Sequence, residues 1–222
     1  MKSRMIGLLV FLLGTIGLYA QEKKPLPKVV LVGDSIRLGY APLVAKKLEG
    51  KAIVVSFKEN GADSKNVLKN LEKWVISQKP DLVHLNCGLH DIKFDKKTKT
   101  HQVPLDEYEK NLRAIHEQIS KNTKAIFIFA LTTPIHDDRH AMRNASFDRF
   151  EKDVVLFNTK AGSLMTSLKV PLNDLHEVVM KKGMDKMLGK DGTHYTPEGN
   201  AELADAVAQV ILKQIESGNS SR

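Results

Sequence analysis

A serine, a histidine and an aspartate stand in this chain where they can act together. Ser35 follows Gly33-Asp34 directly after the apolar run Lys28–Val32, and Asp191 precedes His194 by three residues near the other end. A hydroxyl is a weak nucleophile until a base takes its proton, and an imidazole steered by a carboxylate is such a base. Two further polar strings lie between them, Asn60-Gly61-Ala62-Asp63-Ser64 and Gly88-Leu89-His90-Asp91. Taken singly, each string has a plain reading: a turn, a helix cap, a turn histidine. Their joint placement carries the argument, because each follows an apolar run or precedes an amphipathic one.

Those runs define the elements that must position the side chains. Apolar strands are predicted at Lys28–Val32, Ala52–Phe57, Asp81–Cys87, Ala125–Leu131 and, shorter, Val170–Leu172. Helices are predicted at Ile36–Leu48, Ser64–Gln78 with Ser64 as N-cap, Pro104–Ser120, Ser146–Leu168 and Pro197–Glu216. Phe94–Val103 and Ile135–Asn144 are the least regular stretches and read as surface loops. Short apolar strands alternating with helices indicate a parallel sheet covered on both faces. The expected fold is α/β: a three-layer α/β/α domain with a doubly wound, five-stranded parallel sheet of flavodoxin-like type. Ligands of such sheets bind at the carboxyl ends of the strands, where the four polar strings converge.

On these motifs the chain resembles the SGNH hydrolases, also called GDSL esterases and lipases, from about Lys28 to Ile215. The family's first block is Gly-Asp-Ser, matched by Gly33-Asp34-Ser35, and its last is Asp-x-x-His, matched by Asp191 and His194. The second block supplies a backbone N–H from a glycine two residues before Ser or Thr; Ala62 stands there. The third is Gly-x-Asn-Asp, and His90 stands in place of its asparagine. The resemblance implies Ser35 as nucleophile, His194 as base and then acid, and Asp191 as its orienter. It implies an oxyanion hole from the N–H groups of Ser35 and Ala62 and the side chain of His90. A neutral imidazole can replace an amide donor, and a protonated one would donate more strongly while depressing the basicity of His194. Asp34, Gly61 and Thr133 are expected to border the substrate. No metal or cofactor is implied. The implied reaction is hydrolysis of a carboxylic ester through an acyl-enzyme, with a small acyl group on a carbohydrate preferred. Lysophospholipid or thioester hydrolysis, a non-catalytic carbohydrate-binding relative and a flavodoxin-like phosphate or nucleotide binder are the competing readings.

Composition sets outer limits. The 222 residues, 42% hydrophobic and 27% charged, suit one globular domain. A single cysteine, Cys87, excludes an internal disulfide framework, and its apolar run predicts a buried thiol. The net charge of +8 is spread as lysine pairs, and aromatics are only 6%, so nucleic acid is not an expected partner. Lys2 and Arg4, the uncharged Met5–Leu18 and a small residue at Ala20 have the build of a secretory signal peptide. Cleavage after Ala20 would lower the charge to +6 and leave no stable membrane association. The expected organisation is a signal peptide over 1–20, an extended lead-in over 21–27, the domain over 28–216 and a flexible tail over 217–222. Secretion or a periplasmic location follows from it. His136, Asp137, Asp138 and His140 read as a solvated loop, or alternatively as lining of the substrate entrance, rather than a metal site.

Overall fold

The computed structural model describes residues 25–220. The expected signal peptide, most of the lead-in and the end of the tail lie outside the described residues. The order is β1 (Lys28–Val32), α1 (Ser35–Lys47), β2 (Ile53–Ser56), α2 (Ser64–Lys69), α3 (Leu71–Trp74), a 3-10 turn (Ile76–Gln78), β3 (Leu82–Asn86), β4 (Phe94–Asp95) and α4 (Leu105–Asn122). It continues through β5 (Ile126–Ala130), α5 (Asp137–Ala141), β6 (Phe147–Asp148), α6 (Glu151–Ser167), β7 (Leu172–Asn173), α7 (Leu175–Lys182), α8 (Met184–Met187) and α9 (Pro197–Ser220). Strands β2-β1-β3-β5-β7 form one five-stranded parallel sheet in that order. Helices α1, α9 and α7 pack together, and α2, α4 and α6 form a second packed set. The fold is the three-layer α/β/α architecture expected from the alternation of apolar runs.

The strands are nearly continuous hydrophobic runs because both faces are covered. Val29, Val30, Leu82, Val83, Leu85, Ile128 and Phe129 are all fully buried or within 1% of it. Cys87 is fully buried as well, and burial pushes its thiol well above the ordinary value. His84 is buried within β3, where desolvation pushes it down to about 4. It is therefore neutral, and its Nε2 accepts from Asn173 Nδ2 at 3.1 Å.

Four expectations are corrected. The helix over Ser64–Gln78 is three pieces, because the Asn70 side chain donates to the Asn66 carbonyl at 2.9 Å and Asn70 itself leaves helical geometry (φ −102°, ψ 8°). Its N-cap is Asp63, whose Oδ1 accepts from the Asn66 N–H at 2.9 Å, while Ser64 turns inward. The helix expected from Ser146 starts at Glu151, since Phe147–Asp148 pairs antiparallel with Phe94–Asp95. The last helix runs on to Ser220, into the segment expected to be a tail. The short helices α5, α7 and α8 were not foreseen.

Two close approaches align the strand ends. Gly39 of α1 faces Asn200 of α9, and a Cβ there would lie 2.4 Å from Asn200 Oδ1, so any larger residue would have to displace the Asn200 side chain between the two helices. Arg37, 2% exposed in the first turn of α1, turns back over the sheet edge. Its guanidinium donates to Gly33 O at 2.9 Å, Ser56 Oγ at 3.0 Å, Glu59 O at 2.6 Å and Phe57 O. One cation thus ties the exit of β1 to the exit of β2. Arg37→Met keeps the volume and strands these acceptors. It should lower unfolding stability by about 3 kcal/mol or more. Urea denaturation checks this, and a loss below about 1 kcal/mol would contradict the clamp.

Candidate active site

The strand ends deliver the serine and the histidine to one point. Ser35 opens α1 immediately after β1, and Asp34 caps that helix through Oδ1, which accepts from the Ile36 N–H at 2.9 Å. The Ser35 N–H lies in the first turn, where it has no acceptor within the helix. His194 sits in the loop before α9. Its Nε2 is 2.9 Å from Ser35 Oγ, and its Nδ1 is 2.5 Å from Asp191 Oδ2. With the proton on Nδ1, the ring donates to Asp191 and Nε2 accepts from the Ser35 hydroxyl.

The carboxylate is held by its own loop. Asp191 Oδ1 accepts from the backbone N–H groups of Thr193 (3.0 Å) and His194 (2.9 Å). Burial raises its pKa, but these bonds and the one from the imidazole outweigh burial and hold it at about 2. Asp191 is therefore ionised at neutral pH. The loop is fixed from outside as well. Gly192 adopts φ +66°, its carbonyl accepts from His136 N–H at 2.8 Å, and a Cβ would lie 2.6 Å from His136 O. Thr193 Oγ1 is 3.1 Å from Nδ1 of His140, which desolvation keeps neutral with a pKa near 4. Of the stretch expected to be a solvated loop, His136 and His140 brace the loop that carries His194 and α5 runs through it, while Asp137 and Asp138 are exposed as expected.

The two middle strings are locked together. Ser64 donates through its N–H to both oxygens of Asp91 (3.0 and 3.1 Å) and through its hydroxyl to Oδ1 (2.5 Å). Asn111 of α4 donates to the Ser64 hydroxyl at 2.9 Å. Desolvation lifts the Asp91 carboxyl to about 7 despite these donors. Gly61 joins the first string, its N–H bonding Gly33 O at 2.9 Å, and a Cβ on it would lie 2.7 Å from that oxygen.

His90 stands beside the nucleophile's block, with Nε2 4.0 Å from Asp34 Oδ2. Desolvation, with Lys93 and Arg149 adding repulsion, pushes it down to about 3. The protonated alternative is thereby removed, and His90 offers one N–H. Ala62 takes φ +51°, the left-handed region its glycine counterpart would adopt freely. Its N–H donates to Asn60 Oδ1 at 2.8 Å, so this donor already has an acceptor. Asp34, Gly61 and Thr133, expected to border the substrate, are all buried, Asp34 completely and Thr133 to 3% exposure. Asp34 is a helix cap and Gly61 a loop-to-loop contact; neither presents a surface to a ligand.

The profile of the GDSL-like lipase/acylhydrolase family matches residues 31–202, a span containing every residue of this arrangement. The chain belongs to this family. It is a carboxylic ester hydrolase. A GDSL esterase/lipase of Arabidopsis thaliana is 24% identical over 206 residues, covering 83% of this chain and 85% of the plant protein. Among solved structures, the lipase/acylhydrolase from Enterococcus faecalis superposes with a TM-score of 0.72 at 22% identity, covering 85% of this chain and 97% of that one. Axe2, an acetylxylan esterase from Geobacillus stearothermophilus, gives 0.66 at 21% identity, covering 82% and 93%. These GDSL hydrolases share the fold of the present chain.

Sequence reading did not reach Arg37, Asn111 or Arg149, whose arginine and amide types carry no positional signal of their own. Two outcomes follow from the geometry. Asp191→Asn should lower kcat on the order of 10⁴-fold with the fold intact, because the amide no longer fixes the imidazole. Since His90 is neutral above pH about 3, acidifying from pH 8 to 5 does not charge it. The kcat/KM profile of His90→Asn should therefore overlay the wild-type profile after scaling, and a displaced acid limb would contradict this assignment.

Proposed function

We propose that the protein hydrolyses carboxylic esters through an acyl-enzyme, with a small acyl group on a carbohydrate as its substrate. The observation carrying this reading is the unbroken chain from Ser35 Oγ through the His194 ring to Asp191 Oδ2. Ser35 Oγ bonds to the carbonyl carbon while His194 Nε2 takes its proton. The oxyanion is met by the Ser35 N–H, the Ala62 N–H after release from Asn60, and the His90 N–H. His194 then gives the proton to the departing alcohol oxygen as the C–O bond breaks. Water repeats the sequence to free the acid.

The carbohydrate preference is supported by the acetylxylan esterase among the structures that share the fold. Among the described residues no helix is long and apolar enough to cross a membrane. The basic, apolar and small-residue pattern of 1–20 supports export and processing near Ala20.

Wild-type protein should cleave p-nitrophenyl acetate and react with a fluorophosphonate at Ser35. Ser35→Ala should abolish labelling and lower kcat by at least about 10⁴-fold. Acetylated oligosaccharides should exceed octanoyl esters in kcat/KM. Preference for the long chain would favour lysophospholipid hydrolysis. Absence of both turnover and labelling would leave a binding protein.

A further inference from the structure

Arg149 is the residue beside the catalytic centre whose chemistry nothing above uses. It is 5% exposed, directly after β6. Its Nε donates to Leu89 O at 2.6 Å, which ties it to the turn carrying His90. This is its one hydrogen bond within the protein among the described residues, although a guanidinium has five donors. No carboxylate among the described residues lies within ion-pair distance of it. Its terminal nitrogens are not sealed off, since neither is among the buried atoms that lack a partner.

Its position is fixed by that bond to Leu89 O, the residue next to His90, whose own Nε2 is 4.0 Å from Oδ2 of Asp34, the neighbour of Ser35. A second cation accompanies it. Lys93 stands 5.0 Å from the centroid of the Phe147 ring, and the Arg149 guanidinium 4.9 Å from the same centroid. The Lys93 N–H bonds the His90 carbonyl at 3.2 Å, so it too is rooted in that turn. The antiparallel β4–β6 pair carries both cations, Lys93 just before β4 and Arg149 just after β6. Desolvation lowers the Arg149 pKa to about 10, and the group stays cationic at neutral pH. A buried cation without an anionic partner is costly, and an arriving anion would offset that cost.

We infer that Arg149, assisted by Lys93, forms a subsite beside Ser35 for a carboxylate carried by the ester substrate, so that the preferred substrate is an acylated acidic saccharide. The inference deepens the esterase reading and rests on it. Arginine suits the task because its fork engages both carboxylate oxygens, whereas lysine acts as a point charge.

The test compares acetylated galacturonate oligosaccharides with their methyl-esterified counterparts, following acetate release. Wild-type kcat/KM should favour the free acid by about ten- to a hundredfold, mainly through KM. Arg149→Gln should bring the ratio close to one, and Arg149→Lys should retain part of it. A wild-type ratio near one, or a ratio that survives Arg149→Gln, overturns the subsite while leaving the esterase reading intact. Should Arg149→Gln fail to fold by circular dichroism, Lys93→Gln replaces it. A several-fold fall in the ratio then supports the subsite, and an unchanged ratio overturns it. Should neither ester be cleaved, p-nitrophenyl acetate turnover and fluorophosphonate labelling decide the esterase reading separately. Calorimetry with galacturonate against galactose then decides the subsite: preferential binding of the acid supports it, and equal or no binding overturns it.

Discussion

Everything at this site depends on two helix starts, 159 residues apart in sequence, meeting within a hydrogen bond. Ser35 opens α1 and His194 precedes α9, so the distance between their side chains is set by how closely those helices pack. The contact is made at Gly39 and Asn200, where a methyl group would already collide. Protein interiors transmit such displacements because they are packed without slack. A residue four positions from Ser35, with no part in the chemistry, thereby bears on whether proton transfer from the hydroxyl is within reach.

A second constraint is electrical. Four ionisable side chains, Asp34, Arg37, Asp91 and Arg149, are almost fully withdrawn from water around the strand ends. Three have evident structural work: Asp34 caps α1, Arg37 gathers carbonyls from two loops, and Asp91 anchors Ser64. Each is held by several hydrogen bonds or by a helix end, which is what buried charge requires. Together they make a rigid rim on which Ser35 and His90 sit. That rim also explains why His90 is neutral, since it has little water around it and two cations nearby.

The fold and the meeting of Ser35, His194 and Asp191 were readable from sequence because they rest on strong local signals. Runs such as KVVLV admit one reading in an alternating pattern; Ser35 falls at the end of that run, and Asp191 and His194 fall just before the last amphipathic one. What escaped depends on contacts remote in sequence. The break at Asn70 arises because its amide competes with the backbone, although its neighbours are in good helical phase. The two-residue strands β4 and β6 are too short to show a period, and they exist only because they find each other. Arg37 and Arg149 look like surface residues by type, and only the packed structure turns them inward. Asp34 misled in the opposite sense, since a polar residue beside a nucleophile suggests contact with substrate and is in fact sealed beneath it.

The turn at Asn60 has a consequence for selectivity between states. The Ala62 N–H already rests on an uncharged carboxamide oxygen. A substrate carbonyl is an acceptor of similar strength, so displacing Asn60 gains the ground state almost nothing. An alkoxide is a much stronger acceptor and can win the exchange. In the proposed role, this donor would act as a threshold that only developing negative charge crosses, lending its help to the barrier's summit and withholding it from the resting complex.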